Sequence, residues 1–151
     1  MAVAKGIGSG FPMGACLATN KASVGMTKGM HGSTYGGNPL AVSVGKAVIA
    51  EIMTDGFLQK VDNIGKYLWK KLKELENEFE EIIEVRGAGL LLGIKTKTNN
   101  LKICELLTEK GLLTVPASDN IVRLTPPLII TSDEVDQAIE IINNVIKEIN
   151  D

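Results

Sequence analysis

The sequence predicts a mixed α/β protein, of the α+β kind, in which a sheet of a few strands is covered by helices. Strong helical periodicity begins near residue 39 and continues almost to the end of the 151-residue chain. Short apolar runs bounded by turn residues separate the helical stretches and favour strands. Ten of the sixteen glycines lie within the first 45 residues, so the beginning of the chain differs in kind from the helix-rich remainder.

Four helices are predicted from caps and apolar spacing. Asn38 is a suitable N-cap, and Pro39 takes the first helical position, where a missing N–H costs nothing. A third helix is expected near residues 100–110, ending at Gly111 as a left-handed cap. The second helix is indicated by a stripe of apolar residues three or four apart: Phe57, Val61, Ile64, Leu68, Leu72, Leu75 and Phe79.

The last helix has the clearest start signal. Thr131 and Glu134 form a capping-box pattern. The apolar stripe that follows comprises Val135, Ala138, Ile139, Ile142, Val145, Ile146 and Ile149. Between the helices we expect strands over residues 89–96, 112–115 and 121–124.

The chain is predicted to comprise two parts. Residues 39–151 form the helix-rich unit, whereas residues 1–38 contain one candidate strand, residues 15–19, without an evident partner. A glycine-rich segment with an unpaired strand is typical of a piece of a larger sheet. We therefore expect residues 1–38 to be the remnant of a larger domain.

Composition excludes several classes of function. A net charge of −2, with only two arginines among sixteen basic residues, argues against nucleic-acid binding. Cys16 and Cys104 form no CxxC pair, which argues against a zinc site or a disulfide scaffold and fits a reducing cytosol. No apolar run approaches the roughly 18 residues of a membrane span, and no signal peptide is evident. The sequence predicts a cytoplasmic protein.

Residues 4–15 combine Lys5 with glycines and small residues. The lysine precedes the glycines, so the segment is not a P-loop, and its GxGxG spacing does not match a dinucleotide fingerprint. Glycines let a flat ligand approach the backbone closely, and a lysine there is suited to form a Schiff base with a carbonyl compound. On the residues alone, a surface lysine before a flexible loop is the more common explanation.

Residues 31–41 place two hydroxyl side chains, Ser33 and Thr34, beside two glycines and ahead of a predicted helix start. Backbone N–H groups and the helix dipole favour an anion such as phosphate at this kind of position. A turn that caps the helix explains the same residues without a ligand.

Taken together, these two segments resemble motifs of the class III aminotransferases, enzymes of the fold type I pyridoxal-phosphate group. The resemblance implies that Lys5 is the catalytic, cofactor-binding lysine that carries pyridoxal 5'-phosphate as a Schiff base. It implies that Thr34 reaches the cofactor phosphate of the neighbouring subunit in a homodimer, and that Ser33 lies near the substrate. Ser9 departs from the family, since it replaces a usual glycine.

A third segment, residues 122–128, resembles the family motif whose arginine binds the substrate α-carboxylate, a role that falls on Arg123. Arg86 lies in a segment that looks like the family's first small-domain strand, where the arginine is structural. The resemblance covers essentially the whole chain. It implies that residues 39–151 are the small carboxy-terminal domain with its linking helix, and that residues 1–38 are a remnant of the large cofactor-binding domain. It implies no metal.

Within the family, the motif at residues 31–41 is similar to that of members acting on N-acetylornithine and ornithine. The implied reaction moves an amino group from N-acetylornithine to 2-oxoglutarate, in arginine biosynthesis. An ω-aminotransferase acting on ornithine or 4-aminobutyrate is the alternative enzyme, and a non-catalytic folded fragment is the alternative of another class. The family's phosphate loop, ring-stacking aromatic residue and ring-nitrogen acid precede the lysine, so this chain alone is expected to be inactive.

Overall fold

The computed structural model describes residues 1–150, with only the backbone of Asn150. The chain divides into two compact units, Met1–Leu58 and Gln59–Asp151. The assignment of residues 1–38 and 39–151 to two domains of a larger enzyme stays a prediction. No helix in the described part of the chain combines the length and the apolar character needed to cross a membrane.

Two short strands open the first unit, and they pair with each other. β1 (Ala2–Ala4) and β2 (Gly14–Cys16) run antiparallel, with Val3 opposite Ala15. The terminal amine of Met1 extends this ladder by donating to the Leu17 carbonyl oxygen at 2.6 Å. The expectation that the strand predicted at residues 15–19 has no partner within the chain is therefore wrong.

The pairing depends on a tight reversal of the chain between the two strands. Lys5–Gly8 forms a 3-10 turn, and Ser9 and Gly10 follow it with positive φ angles of 43° and 100°. Glycine adopts such angles without steric cost, so the glycine-rich segment lets the chain fold back within a few residues. A three-residue strand is too short to show side-chain alternation, which is why the sequence did not indicate β1.

Two helices complete the first unit. α1 (Asn20–Ser23) is one turn, and α2 (Pro39–Ile52) starts as predicted, with Asn38 Oδ1 accepting a hydrogen bond from the Ala41 N–H at 2.9 Å. The 3-10 turn packs on α2 through Met13, because methyl groups at Gly8 and Gly45 would each lie 2.9 Å from the Met13 side chain. Those two glycines leave the space that Met13 fills.

Three long helices lie at the predicted places, and all but the first two residues of the first of them belong to the second unit. They are α3 (Phe57–Glu78), α4 (Asn100–Glu109) and α5 (Ser132–Asn150). Gly111, just beyond α4, has the left-handed φ of 91° expected of a cap. The capping box at α5 is present, since Glu134 accepts from the Thr131 N–H and hydroxyl, both at 2.8 Å.

A four-stranded antiparallel sheet lies among these helices, in the order β3-β4-β6-β5. Its strands are β3 (Ile82–Ala88), β4 (Leu91–Thr96), β5 (Val115–Ala117) and β6 (Ile121–Leu124). The strand at 121–124 is confirmed. The strand expected from residue 89 starts later because Gly89, with φ of 56°, belongs to a turn. The strand expected at residues 112–115 is found later in the chain, as β5, which begins at Val115.

The core lies on one face of this sheet, where strand residues such as Val85, Ile94 and Val122 meet the helices. α3 contributes Leu68, Leu72 and Leu75 to it. The predicted fold class, a small sheet covered by helices, is confirmed. The opposite face, which we call the outer face, carries Arg86, Gly93, Lys95 and Arg123, because paired residues on antiparallel strands point to the same side.

Candidate functional site

Lys5 directly follows β1 and begins the 3-10 turn. Its backbone has φ of 55°, in the left-handed region, which costs a non-glycine residue roughly 1–2 kcal/mol. The side chain is exposed, and among residues 1–150 its amine makes no ion pair. Strained residues cluster at functional sites because the surrounding structure must hold them, so the conformation of Lys5 fits a functional role.

An open hollow of about 670 Å³ lies beside Lys5, within the range of roughly 300–1,000 Å³ usual for small-molecule sites. No atom lies within 4 Å of the place where a Cβ of Gly6 or Gly10 would be, so these glycines leave the hollow open. Phe11, Pro12 and Met13 also line it. The hollow fits a flat group attached through the Lys5 amine. Apart from Lys5, no lining side chain carries a charge or a hydrogen-bond donor.

Ser33 and Thr34 lie in the turn ahead of α2, and neither lines that hollow. Ser33 Oγ accepts a hydrogen bond from the Gly36 N–H at 3.0 Å, while the exposed Thr34 makes no side-chain hydrogen bond within residues 1–150. Two N–H groups of the predicted anion site, those of Gly36 and Ala41, are thus already bonded. The Thr34 hydroxyl is available, and its assignment to a phosphate stays a prediction.

Arg123 lies on β6 between Val122 and Leu124, which are buried, while Arg123 itself is exposed on the outer face. It stands opposite Gly93 of β4, and Gly93 in turn stands opposite Arg86 of β3. The two arginines of the chain therefore occupy equivalent places on either side of a glycine.

The two arginines differ in their partners. Arg86 contacts Asp119 at 3.0 Å and Glu84 at 3.8 Å. Arg123 takes part in no ion pair within residues 1–150, so its guanidinium is open to a carboxylate from outside. This difference supports the prediction that Arg86 is structural and that Arg123 binds substrate.

Asp119 joins two cations of the outer face. Its carboxylate accepts from Lys95 Nζ at 2.8 Å and from Arg86 Nη2 at 3.0 Å. The hydrogen bond from Lys95, its positive charge and the weaker contribution of Arg86 together hold the pKa of Asp119 below its ordinary value. The carboxylate thus stays charged where the two cations meet.

The turn between β5 and β6 fixes the position of Asp119. Asp119 and Asn120 have left-handed φ angles of 63° and 56°. Asn120 Nδ2 donates to the carbonyl oxygens of Thr96 and Thr98 at 2.7 and 2.9 Å, and its Oδ1 accepts from the Asn100 N–H at 2.8 Å. The turn is therefore anchored to β4 and to the start of α4.

Sequence reasoning missed Asp119 and Asn120 as parts of this site. The available signal was an Asp-Asn pair between two predicted strands, since both residue types tolerate left-handed turns. Their contacts with Arg86 and Lys95 depend on strand register, which no local pattern in the sequence specifies.

Comparison with known proteins identifies the family to which the chain is similar. The family model described as Aminotransferase class-III matches residues 1–146. Acetylornithine aminotransferase of Agrobacterium fabrum is 51% identical over 135 residues, covering 89% of this chain and 34% of the relative. Its counterpart in Mesorhizobium japonicum is 50% identical over 140 residues, covering 92% of this chain and 35% of the relative. The chain thus spans about a third of the length of these two relatives.

Solved structures of the same kind superpose on the chain. Ornithine delta-aminotransferase of Plasmodium falciparum matches with a TM-score of 0.89 and 35% identity, covering 97% of this chain and 39% of the other. Acetylornithine aminotransferase of Elizabethkingia anophelis matches with a TM-score of 0.86 and 33% identity, covering 97% and 40% respectively.

Proposed function

Because the chain belongs to the class III aminotransferase family, we propose that it is the carboxy-terminal part of an enzyme that moves an amino group from N-acetylornithine to 2-oxoglutarate. The observation that carries the proposal is the exposed guanidinium of Arg123, which makes no ion pair within residues 1–150, in contrast to the paired Arg86. The similarity to two bacterial acetylornithine aminotransferases at 50 and 51% identity supports the choice of amino donor.

Lys5 is the proposed attachment point for the family's cofactor. Pyridoxal 5'-phosphate, when bound, supplies an aldehyde that condenses with amines and a conjugated ring that accepts electrons. Lys5 Nζ would hold that group covalently and, when not so bound, would accept the proton from the carbon that carries the donor's amino group. The open hollow bounded by Gly6 and Gly10 leaves room for a flat ring beside this amine.

Thr34 and Ser33 are proposed to act beside the cofactor. The exposed Thr34 hydroxyl is suited to donate to a phosphate oxygen, and in the proposed homodimer it does so across the subunit boundary. Ser33 lies near the substrate, although its oxygen accepts from the Gly36 N–H; its hydroxyl proton remains available to donate.

Arg123 is proposed to bind the α-carboxylate of 2-oxoglutarate. A guanidinium pairs with a carboxylate through two parallel hydrogen bonds, which fixes the orientation of the substrate as well as its affinity. In 2-oxoglutarate the carbon that receives the amino group carries this carboxylate directly, whereas N-acetylornithine reacts through its δ-amino group, three carbons away from the carbon that carries its α-carboxylate. Arg123 is therefore proposed to serve the 2-oxoglutarate half-reaction. Residues 1–38 are assigned to the large cofactor-binding domain and residues 39–151 to the small domain of this cytoplasmic enzyme of arginine biosynthesis.

An ornithine aminotransferase is the second candidate, favoured by structural matches such as the Toxoplasma gondii ornithine aminotransferase at a TM-score of 0.89 and 27% identity. The same residues would serve this reaction. Because the two donors differ in the acetyl group on the α-nitrogen, the choice between them depends on residues that contact that group.

The test measures glutamate formation from 2-oxoglutarate by the full-length enzyme that contains this chain, with N-acetylornithine, ornithine or 4-aminobutyrate as donor. We expect the highest kcat/KM with N-acetylornithine and loss of transfer in Lys5→Ala. Lys21→Ala, an exposed lysine of α1, is the matched control and should keep full activity. A preference for ornithine supports the second candidate, and transfer that survives Lys5→Ala contradicts the proposed role of Lys5.

A further inference from the structure

We infer that Asp119 is a specificity-determining residue, which occupies Arg86 and Lys95 and thereby confines carboxylate binding on the outer face of the sheet to Arg123. The inference rests on the proposed function, because it takes Arg123 as the residue that binds the substrate carboxylate. It adds a role for an acidic residue that itself contacts no substrate.

Three cations share the outer face. Arg86, Lys95 and Arg123 lie on the neighbouring strands β3, β4 and β6. Arg86 and Arg123 are two strands apart, which corresponds to roughly 9–10 Å between their backbones. Without further control, a substrate carboxylate or dicarboxylate approaching this face would meet several positive charges, and only one of them would orient it productively.

Asp119 removes two of these charges from competition. Its two carboxylate oxygens are used separately, Oδ2 by Arg86 and Oδ1 by Lys95, at 3.0 and 2.8 Å. Glu84 adds a second, longer contact to Arg86 at 3.8 Å. Arg123, on the other side of Gly93, has no such acid within residues 1–150, so it is the cation of the three left for an external carboxylate.

An apolar residue separates the two arginines. A methyl group at Gly93 would lie 2.7 Å from Cγ2 of Ile121, which shows that the Ile121 side chain covers Gly93 on the outer face. Ile121 is only 7% exposed although it points away from the main core cluster. Glycine at position 93 thus leaves the room in which Ile121 stands between the Arg86–Asp119 pair and the Arg123 guanidinium.

The backbone of the turn holds Asp119 in this arrangement. Asn120, the next residue, is bonded to β4 and to the first residue of α4, so the carboxylate is presented by a fixed turn and not by a loose loop. Asp119 has φ of 63°, an angle that asparagine also tolerates. Asp119→Asn therefore removes the charge and keeps the turn.

The experiment follows the side-chain Nε–Hε signals of the two arginines by nuclear magnetic resonance during titration of this chain with glutarate. Glutarate presents two carboxylates and no ketone, so it probes carboxylate binding without chemistry. In the unsubstituted chain, we expect glutarate to change the chemical shift of the Arg123 signal and to leave that of the Arg86 signal unchanged. In Asp119→Asn the Arg86 signal should shift as well, and glutarate affinity should rise roughly twofold to fivefold, as expected for exposed ion pairs.

Two further variants make the outcome decisive. Asp62→Asn removes one charge from an exposed pair with Lys66, at 2.6 Å, and should leave both arginine responses unchanged. The double variant Asp119→Asn/Arg86→Gln should lose the gained Arg86 contribution. The inference is overturned if glutarate shifts the Arg86 signal in the unsubstituted chain. It is also overturned if glutarate leaves the Arg86 signal unshifted in Asp119→Asn. An Arg123 signal that glutarate does not shift contradicts the proposed function. Even then, an Arg86 signal that shifts in Asp119→Asn alone would support the inference that Asp119 keeps Arg86 from binding carboxylates.

Discussion

The two compact units of the chain differ in how much apolar surface they bury. Among the residues whose side chains the structure describes, all eighteen buried apolar ones lie between Leu68 and Ile146, in the second unit. Of residues 1–58, all of which the structure describes, only Gly8 and Gly45 are buried. The same stretch holds eleven of the eighteen exposed large apolar side chains, among them Met26, Tyr35 and Met53.

This contrast separates the proposed chemistry into two environments. Lys5, Ser33 and Thr34 belong to the unit without a core of its own, whereas Arg123 stands on a sheet packed against three helices. Burial of an aliphatic side chain contributes roughly 1.5–3 kcal/mol, so burial stabilises the second unit far more than the first. Arg123, which is proposed to bind a carboxylate, therefore lies on a well-packed sheet, whereas the residues proposed to act beside the cofactor do not.

The largest expected effect compares one leucine from each unit. Leu72 is fully buried on α3, and Leu72→Ala should lower the free energy of unfolding by about 2–5 kcal/mol. Leu40 is 63% exposed on α2, and Leu40→Ala should change it by less than about 0.5 kcal/mol. Urea denaturation followed by circular dichroism measures both. Equal losses would show that the first unit also has a stabilising apolar core, contrary to the difference in burial between the two units.

A smaller effect is expected at the turn that carries Asp119. Asn120→Gly suits the left-handed backbone but removes three hydrogen bonds, so it should cost about 2–3 kcal/mol of stability. Ser118→Gly, an exposed position of the same turn, is the control and should cost little. If both variants unfold at the same urea concentration, the side-chain bonds of Asn120 do not anchor the turn.

Helix caps provide a matched pair across the two units. Thr131→Ala removes the N-cap of α5 and should lower the free energy of unfolding of the second unit by about 1 kcal/mol. Asn38→Ala removes the N-cap of α2 and should leave the same transition unchanged, because the first unit has no core whose loss the transition would report. A comparable shift from Asn38→Ala would mean that the two units unfold together.

The capping box also predicts a pH dependence of stability. Hydrogen bonds from the Thr131 N–H and then from its hydroxyl lower the pKa of Glu134 below its ordinary value. Glu134 therefore adds stability at pH values above about 4.5, and this contribution disappears as the pH falls through the lowered pKa. Thermal unfolding at pH 7 and at pH 3 should show a smaller difference for Glu134→Gln than for Glu140→Gln, an exposed control on α5. If the two variants show the same difference in melting temperature between pH 7 and pH 3, the protonation of Glu134 is not coupled to stability.

The sequence was most informative where local chemistry decides the structure. The start of α5 follows from Thr131 and Glu134, and the long stripe of α3 follows from apolar spacing, since both signals lie within a few residues. β1 was missed because its three residues pair with a strand ten residues further on, across a reversal made by Ser9 and Gly10.

The sequence indicates candidate site residues one by one but not their geometry. Lys5, Ser33, Thr34 and Arg123 come from motifs, and their roles stay predictions. The different partners of Arg86 and Arg123 appear only when β3, β4 and β6 are placed in register. Asp119 contacts residues 24 and 33 positions earlier in the chain, Lys95 and Arg86, a separation that no local pattern reports.

The contrast between the two arginines leads to the measurement that tests the proposed function most directly. In the full-length enzyme, kcat/KM for N-acetylornithine and for 2-oxoglutarate is determined in separate half-reactions for Arg123→Lys and Arg86→Lys. Lysine keeps the charge but loses the two-pronged geometry, so Arg123→Lys should lose about 1.5–3 kcal/mol of binding. This corresponds to a roughly tenfold to hundredfold loss in kcat/KM for 2-oxoglutarate, with a smaller loss for N-acetylornithine, whose α-carboxylate is remote from the reacting δ-carbon. Arg86→Lys should keep both within about threefold and lower thermal stability slightly. The opposite pattern, with activity intact in Arg123→Lys, would contradict the assignment of Arg123 to the substrate carboxylate.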